Sequence, residues 1–125
     1  ITLMLLGANP KVLRQLEKGF SRLNLSIHTA SDTEAAFRLL AEHAFDALII
    51  EESLSPSGYD MQGIDFAMAI RKKYPEPVII LLTEQIRKET VEARQSGLID
   101  DYIEAPASVP EIVAAIRQAA KGRTE

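Results

Sequence analysis

Short apolar runs alternate with amphipathic stretches along the whole chain, and this alternation restricts the fold more than any other feature. Five runs have the length of a strand, and each is followed by a stretch with apolar residues at helical spacing. Continuously apolar runs are typical of parallel strands that are buried on both faces by helices. The predicted strands cover residues 2–6, 25–29, 47–50, 78–82 and 101–104.

The order of these units restricts the topology further. Because crossovers between parallel strands are right-handed, few arrangements are left for five strand–helix units. We predict an α/β fold of the flavodoxin-like (βα)5 type, a three-layer sandwich with a five-stranded parallel sheet of order 2-1-3-4-5. A chain of 125 residues has the size of one domain. We place this domain at residues 1–121 and expect residues 122–125 to begin a linker or an artificial tail.

The predicted helices carry recognisable start and stop signals. Asn9 is suited to cap the first helix and Pro10 to open it, and Leu23 extends its apolar spacing. A capping signal at residues 31–34 precedes the second helix, which runs to about His43. The remaining helices are predicted over residues 64–74, over residues 86–96 with Gly97 as the stop, and from Pro110 onward.

The composition excludes several kinds of site. The chain has no cysteine, so disulfides, thiolate zinc sites and cysteine nucleophiles are excluded. Its two histidines, His28 and His43, are too few for a histidine-rich metal site, and we expect both at the surface near the ends of elements. A net charge of −4 argues against nucleic-acid binding by this domain. No apolar run approaches the length of a membrane span, so no membrane contact is predicted.

In sheets of this type, ligands bind beyond the carboxyl ends of the strands. The sequence at these ends is distinctive, and it resembles the receiver domains of bacterial response regulators in order and interval over nearly the whole chain. The segments that carry the resemblance are Leu-Leu-Gly-Ala-Asn-Pro (5–10), Asp-Ala-Leu-Ile-Ile-Glu (46–51), Pro-Val-Ile-Ile-Leu-Leu-Thr (77–83) and Gly-Leu-Ile-Asp-Asp-Tyr-Ile-Glu-Ala-Pro (97–106).

The resemblance implies a set of functional positions. A working receiver has an acidic pair after the first strand, a phosphoacceptor Asp after the third, a Ser or Thr after the fourth and a Lys before the Pro after the fifth. The carboxylates hold Mg²⁺, and the hydroxyl and ammonium groups stabilise the phosphoryl oxygens. In this chain the acidic-pair positions fall on Gly7 and Ala8, the phosphoacceptor on Glu51 and the lysine on Ala105.

Two of these assignments leave an alternative open. Counting back from the Pro in the following loop favours Glu52 over Glu51 as the phosphoacceptor equivalent. The hydroxyl position falls on Thr83, or on Leu82 in a gapless alignment. Tyr102 falls where receivers place a switch aromatic residue, although a tyrosine on a short strand is commonly packed for structural reasons alone. Two solvated acids at the end of a strand are the ordinary interpretation of Glu51 and Glu52.

These departures argue against phosphotransfer. A single carboxylate binds Mg²⁺ weakly, so we expect no metal, no other cofactor and no enzymatic activity. The alternative is a conventional phosphoacceptor in a histidine kinase phosphorelay of two-component signalling, using Glu51 or Glu52. A flavodoxin-type cofactor domain is disfavoured, because the first strand is followed by a lone Gly7 rather than a glycine-rich phosphate loop.

The preferred hypothesis is a phosphorylation-independent receiver-like module. It would be cytoplasmic and would regulate an attached output domain through protein contacts or dimerisation, with Glu51 as a fixed charge in place of a phosphoryl group. The resemblance implies a dimer face on the fourth helix, fifth strand and fifth helix, which carries Asp100, Asp101 and Arg117. Residues 55–62, which include Tyr59 and Met61, are predicted to form a loop that is longer than the same connection in most receivers. We interpret this loop as an insertion or as a partner-binding lip.

Overall fold

A computed structural model describes residues 1–53 and 62–124 of the chain. In the described part, strands and helices alternate from the first strand to the last helix. The elements are β1 (Thr2–Leu6), α1 (Pro10–Ser21), β2 (Ser26–Ala30), α2 (Thr33–Glu42), β3 (Ala47–Glu51), α3 (Gly63–Arg71), β4 (Val78–Thr83), α4 (Lys88–Gln95), β5 (Asp101–Glu104) and α5 (Val109–Thr124). The predicted loop at residues 55–62 lies outside the described residues, apart from Gln62.

All described strand pairs are parallel, and the sheet has the order β2-β1-β3-β4-β5. This confirms the predicted fold. The three central strands β1, β3 and β4 are buried almost throughout, because helices cover both faces of the sheet. None of the helices in the described ranges has both the length and the apolar character that a membrane span requires.

Alternate residues of the central strands contribute to two separate cores. Met4, Leu48 and Ile79 face α2, α3 and α4, where they pack with Phe66 and Ile70. Their neighbours along each strand face α1 and α5 instead, and pack with the apolar sides of those two helices. The members of this second core include Leu3, Leu5, Ile49, Ile80, Leu13, Leu16, Phe20 and Ile112. Two-sided burial explains why these strands show apolar runs rather than alternation.

The end of α1 differs from the prediction. Asn9 caps the helix as expected, and its side chain accepts hydrogen bonds from the N–H groups of Lys11 and Val12. The helix ends at Ser21, however, and the chain turns through Asn24, which has a left-handed φ of 57°. Leu23 is therefore 50% exposed instead of lying on the buried side of the helix.

The helices α4 and α5 begin at residues that differ from the predicted ones. α4 begins at Lys88 rather than near Ile86, because the Thr90 hydroxyl accepts the N–H of Arg87 at 3.2 Å and fixes the first turn there. Gly97 follows the helix with a φ of 82°, as a helix stop requires. α5 starts with reciprocal bonds between Ser108 and Glu111 and continues to Thr124, past the expected domain end.

Asp100 lies inside the domain rather than on an open dimer face. Its Oδ2 atom is 2.9 Å from Nη2 of Arg71, and it also accepts the N–H of Ile79 at 2.8 Å. Both charged side chains are only 15% exposed. The ion pair joins the end of α3 to the start of β5, and the bond from Ile79 adds the start of β4, so the Asp100 carboxylate is used for internal packing.

The two histidines lie side by side near the edge of the sheet. His43 is exposed at the end of α2, and His28 is half-buried on β2. Their ring centroids are 4.3 Å apart, and the His28 ring meets Phe45 edge-on at 5.6 Å. The pair covers one margin of the core that includes Phe45.

The start of α3 is placed by a close backbone approach at Gly63. Its N–H donates to the carbonyl of Glu52 at 2.8 Å. A methyl group on Gly63 would lie 2.5 Å from the carbonyl oxygen of Glu51 and 2.8 Å from Cα of Glu52. Both contacts are with backbone atoms, which cannot rotate away. Glycine at this position therefore allows α3 to pack against the end of β3.

We expect Gly63→Ala to lower the free energy of unfolding by about 1–3 kcal/mol, the usual cost of overpacking a rigid site. The matched control is Gly122→Ala in α5, where an added methyl group meets no atom within 4 Å. That change should raise stability by up to about 1 kcal/mol, because alanine is the better helix former. Urea unfolding of both variants tests this, and equal stabilities would contradict it.

Candidate functional site

A broad groove lies beyond the carboxyl ends of the strands, where the loops after β1, β3, β4 and β5 meet. It is bordered by Glu51 and Glu52 on one side and by Ala105 and Pro106 on another. Among the charged side chains of its described lining, the acidic ones are Glu51, Glu52, Asp65, Glu84 and Glu89, and the basic one is Arg87. The described lining is therefore strongly acidic, and it contains no lysine.

Glu51 dominates the geometry of this groove. It is the last residue of β3, and its side chain folds over the neighbouring β1 strand end. A methyl group on Gly7 would lie 2.6 Å from both Cδ and Oε1 of Glu51. The Glu51 carboxylate thus occupies the space that a side chain at residue 7 would need.

The same carboxylate is held by the backbone of the loop after β1. The N–H of Ala8 donates to Oε2 of Glu51 at 3.2 Å. Burial raises the pKa of Glu51 above its ordinary value of 4.5, and the charge of Glu84 adds to this rise. The backbone N–H groups of Ala8 and Asn9 oppose the rise in pKa but do not cancel it.

Glu52 lies one residue beyond the strand, at the start of the loop. Its N–H donates to the carbonyl of Leu82 at 2.8 Å, so its backbone continues the contact between β3 and β4. Its Oε2 atom is buried and has no hydrogen-bond partner among the described residues. Of the two acids, Glu51 is the one that lies over Gly7.

The two alternatives for the hydroxyl position have different environments. Leu82 is buried in the core that faces α1 and α5. Thr83 ends β4, is 2% exposed and lines the groove. Its hydroxyl donates to the carbonyl of Gln85 at 2.7 Å and accepts the N–H of Gln85 at 3.2 Å. The Thr83 hydroxyl is thus engaged in the local turn after β4.

The two positions on and after β5 are also fixed by local contacts. Tyr102 is partly buried against the core, and the Arg94 guanidinium lies 5.9 Å from its ring centroid. Nε of Arg94 also lies 3.3 Å from Oδ1 of Asp101, so Arg94 connects α4 to β5. The N–H of Ala105 donates to the carbonyl of Thr83 at 2.7 Å, and the peptide bond to Pro106 is cis.

These residues do not fit the Mg²⁺ that working receivers use. Gly7 and Ala8 supply no side-chain oxygen, and the carboxylate of Glu51 already accepts a backbone N–H. The described residues contain no cluster of three or more His, Cys, Asp or Glu side chains suited to hold a metal ion. Mg²⁺ is held in proteins by carboxylates at fixed octahedral positions, and the two positions after β1 that would supply such carboxylates carry none here.

The sequence places the groove but does not show how its residues pack. It does not predict the contact between Glu51 and residue 7, the bond to Ala8 or the interaction of Arg94 with Tyr102. The signal for the first contact is a glycine at position 7 together with an acid longer than aspartate at position 51. Taken separately, each of these two residues indicates only a missing receiver residue, whereas in the structure they form one packed unit.

Comparison with known proteins gives consistent results. Residues 4–117 match the family model described as the response regulator receiver domain. The transcriptional regulatory protein KdpE of Mycobacterium tuberculosis is 31% identical over 121 residues, which cover 97% of this chain and 51% of that protein. The transcriptional regulatory protein SrrA of Staphylococcus aureus is 27% identical, covering 92% of this chain and 46% of that protein. The chain thus spans about half the length of these curated relatives.

A solved structure agrees with the sequence relatives. The signal receiver domain of an HD domain-containing protein from Pseudomonas fluorescens Pf-5 superposes with a TM-score of 0.85 at 28% identity. The match covers 99% of this chain and 98% of that one. Fold, sequence landmarks and family match therefore agree along the length of the domain, and the chain belongs to the response regulator receiver domain family.

Proposed function

We propose that this receiver domain of two-component signalling works without being phosphorylated and regulates an attached output domain through protein contacts, in the cytoplasm. The observation that carries this proposal is the position of the Glu51 carboxylate, packed over Gly7 and bonded to the N–H of Ala8. The carboxylate occupies the space between β1 and β3 in which a metal-binding side chain would stand.

Electrostatics support the proposal. A transferring phosphoryl group carries negative charge that a metal ion and a lysine normally neutralise. Here the described groove lining has five acids and one base, with Ala105 at the lysine position. Like charges at short distance repel, so an incoming phosphoryl group meets an unfavourable field. We therefore propose that the domain uses no Mg²⁺ or other cofactor and does not catalyse its own phosphorylation.

In this proposal the fixed charge at Glu51 keeps the domain in one conformational state. A carboxylate carries about one negative charge where a phosphoryl group carries up to about two, so it stands in for the phosphorylated state only in part. Its hydrogen bond to Ala8 holds the loop after β1 in place. In this proposal the output domain responds to the binding of a partner or to dimerisation rather than to a kinase.

A phosphorylation assay tests the central claim. Incubation with acetyl phosphate and Mg²⁺ should give no mass increase in the intact protein. The matched control is the variant Gly7→Asp/Ala8→Asp/Glu51→Asp/Ala105→Lys, which rebuilds the charged groups that phosphotransfer needs and should acquire a phosphoryl adduct. A stoichiometric adduct on Glu51 or Glu52 of the unaltered chain would establish a conventional phosphoacceptor instead.

The raised pKa of Glu51 predicts a pH-dependent stability difference. A carboxyl group with a higher pKa in the folded state binds protons more tightly there than in the unfolded chain. Its contribution to stability is therefore fully present below pH 4.5 and is lost as the pH rises through the folded-state pKa. Glu51→Gln removes this titration and keeps an oxygen that accepts the Ala8 N–H.

The free energy of unfolding of Glu51→Gln, relative to the unaltered protein, should therefore increase as the pH rises above 4.5 and then level off. Urea unfolding across about pH 4 to 8 measures it. The control Glu17→Gln removes the same charge from an exposed helix position. A difference that is constant with pH, or that decreases, would show that burial does not disfavour the ionised form of Glu51.

We also propose that two copies associate through α4, β5 and α5. Strand β5 lies at one edge of the sheet, next to β4. Arg117 on α5 is exposed and makes no ion pair among the described residues. Asp101 is part-exposed, with a side-chain exposure of 32%, beside Arg94. In a two-fold arrangement the same patch faces itself, and in this proposal Asp101 of each copy pairs with Arg117 of the other.

Sedimentation over a concentration series tests the dimer. Arg117→Ala and Asp101→Ala should each weaken association by roughly two- to fivefold, since an exposed charge pair contributes up to about 1 kcal/mol. Arg38→Ala on α2 is the control and should leave association unchanged, because α2 packs on β2 and β1, at the opposite edge of the sheet from β5. Monomeric behaviour of the unaltered chain at all concentrations would refute the dimer.

A further inference from the structure

A small cavity lies at the opposite end of the sheet from the groove, near the amino ends of β3 and β4. It is lined by residues 40–45, where α2 ends, and by Tyr74, Glu76 and Pro77. Its volume is about 240 Å³, which suits one small organic group rather than a large ligand. We call this space the α2 cavity.

The end of α2 gives this cavity a negative wall. The N–H of His43 donates to the carbonyl of Leu39 at 2.9 Å. No N–H group of the described residues donates to the carbonyls of Leu40, Ala41 or Glu42. Such carbonyls carry the negative end of the helix dipole, which a cation stabilises. The last turn of α2 has no basic residue, and the Glu42 carboxylate adds to the negative charge.

Aromatic residues distinguish the α2 cavity from the groove. His43, Phe45 and Tyr74 line the cavity, whereas the described lining of the groove contains no aromatic residue. The face of an aromatic ring attracts cations, and Nζ of Lys73 lies 5.6 Å from the centroid of the Tyr74 ring. The groove offers acids to any cation, but the α2 cavity also offers rings to a cation that has an apolar body.

These surroundings favour an ammonium group at the end of an alkyl chain. An ammonium group has three N–H donors, which match the carbonyls of the helix end and the carboxylate of Glu42. The methylene groups beside an ammonium pack against apolar atoms, and Leu40, Phe45 and Pro77 supply buried apolar surface. A bare metal ion is disfavoured, because the described residues contain no cluster of three His, Cys, Asp or Glu side chains suited to hold one.

We propose that the α2 cavity binds a primary alkylammonium group, supplied by a small free amine or by a lysine side chain of a partner protein. The ammonium group would lie at the end of α2 beside Glu42, and the alkyl chain would lie beside Tyr74. The α2 cavity and Glu51 are at opposite ends of the sheet, so this proposal holds whether or not the domain is phosphorylated.

An NMR titration of the ¹⁵N-labelled protein with n-butylammonium chloride tests the site. The amide signals of residues 40–45 and of Tyr74 and Glu76 should shift and saturate, with half-saturation below about 10 mM. n-Butanol has the same chain without the charge, and tetramethylammonium has the charge without N–H donors. Each of these two should bind at least about fivefold more weakly, because each lacks one part of the recognised group.

Two pairs of variants test the residues that recognise the ammonium group. Glu42→Gln should weaken butylammonium binding by roughly two- to fivefold, because it removes a charge beside the ammonium. Glu34→Gln is the matched control, since it removes the same charge from an exposed side chain at the start of the same helix. Tyr74→Leu should weaken binding by roughly two- to fivefold, whereas Tyr74→Phe keeps the ring and should bind as the unaltered chain does.

Two peptides distinguish the sources of the ammonium group. The first is a flexible Gly/Ser peptide with one central lysine, and the second carries acetyllysine at the same position. Tighter binding of the lysine peptide than of butylammonium would assign the cavity to a partner's lysine, and weaker binding would assign it to a free amine. The acetyllysine peptide has no charge and should not bind.

Four results would overturn the proposal. The first is a set of shifts confined to the groove, at residues such as Glu51, Glu52 and Glu84. The second is binding of n-butanol as tight as that of butylammonium, which would show a purely apolar cavity. The third is the lack of any saturable shift up to about 50 mM butylammonium. The fourth is an equal loss of binding in Glu34→Gln and Glu42→Gln, which would show general attraction to a negative protein.

Discussion

The packing of the Glu51 carboxylate over Gly7 is the contact on which the rest of the groove depends. β1 and β3 are neighbours, with Leu6 opposite Ile50, so the residues that follow these two meet at the same edge of the sheet. A methyl group on Gly7 would lie 2.6 Å from the carboxylate, so residue 7 has room for a side chain only if Glu51 moves. The absence of an acid at residue 7 and the presence of a longer acid on β3 are therefore one structural fact.

The other groups around the groove are consistent with this packing. The Thr83 hydroxyl forms hydrogen bonds with the backbone of Gln85. Ala105 lines the groove with a methyl group at the position where a working receiver has a lysine. The Arg94 guanidinium lies over the ring of Tyr102 and also forms an ion pair with Asp101. Each position that would respond to a phosphoryl group is thus occupied by a local contact or lacks the reactive group.

The sequence was sufficient for the sheet because each central strand is buried on both faces, which leaves a long apolar run. It was less informative where a single polar contact decides the outcome. Leu23 continues the apolar spacing of α1, but the helix ends two residues earlier, and spacing alone does not show that end. Asp100 pairs with Arg71, 29 residues away, and Glu51 bonds to Ala8, 43 residues away. Such pairs become visible only when the chain is folded.

The groove and the first helix, α1, are joined by a short series of contacts. Glu51 accepts the N–H of Ala8, and the next residue, Asn9, accepts the N–H of Lys11 at 3.0 Å as the cap of α1. Because a capped first turn fixes the direction in which a helix leaves its loop, the position of Glu51 also bears on the direction of α1. A single carboxylate on β3 is thereby connected, through two hydrogen bonds to the loop after β1, with the start of the first helix.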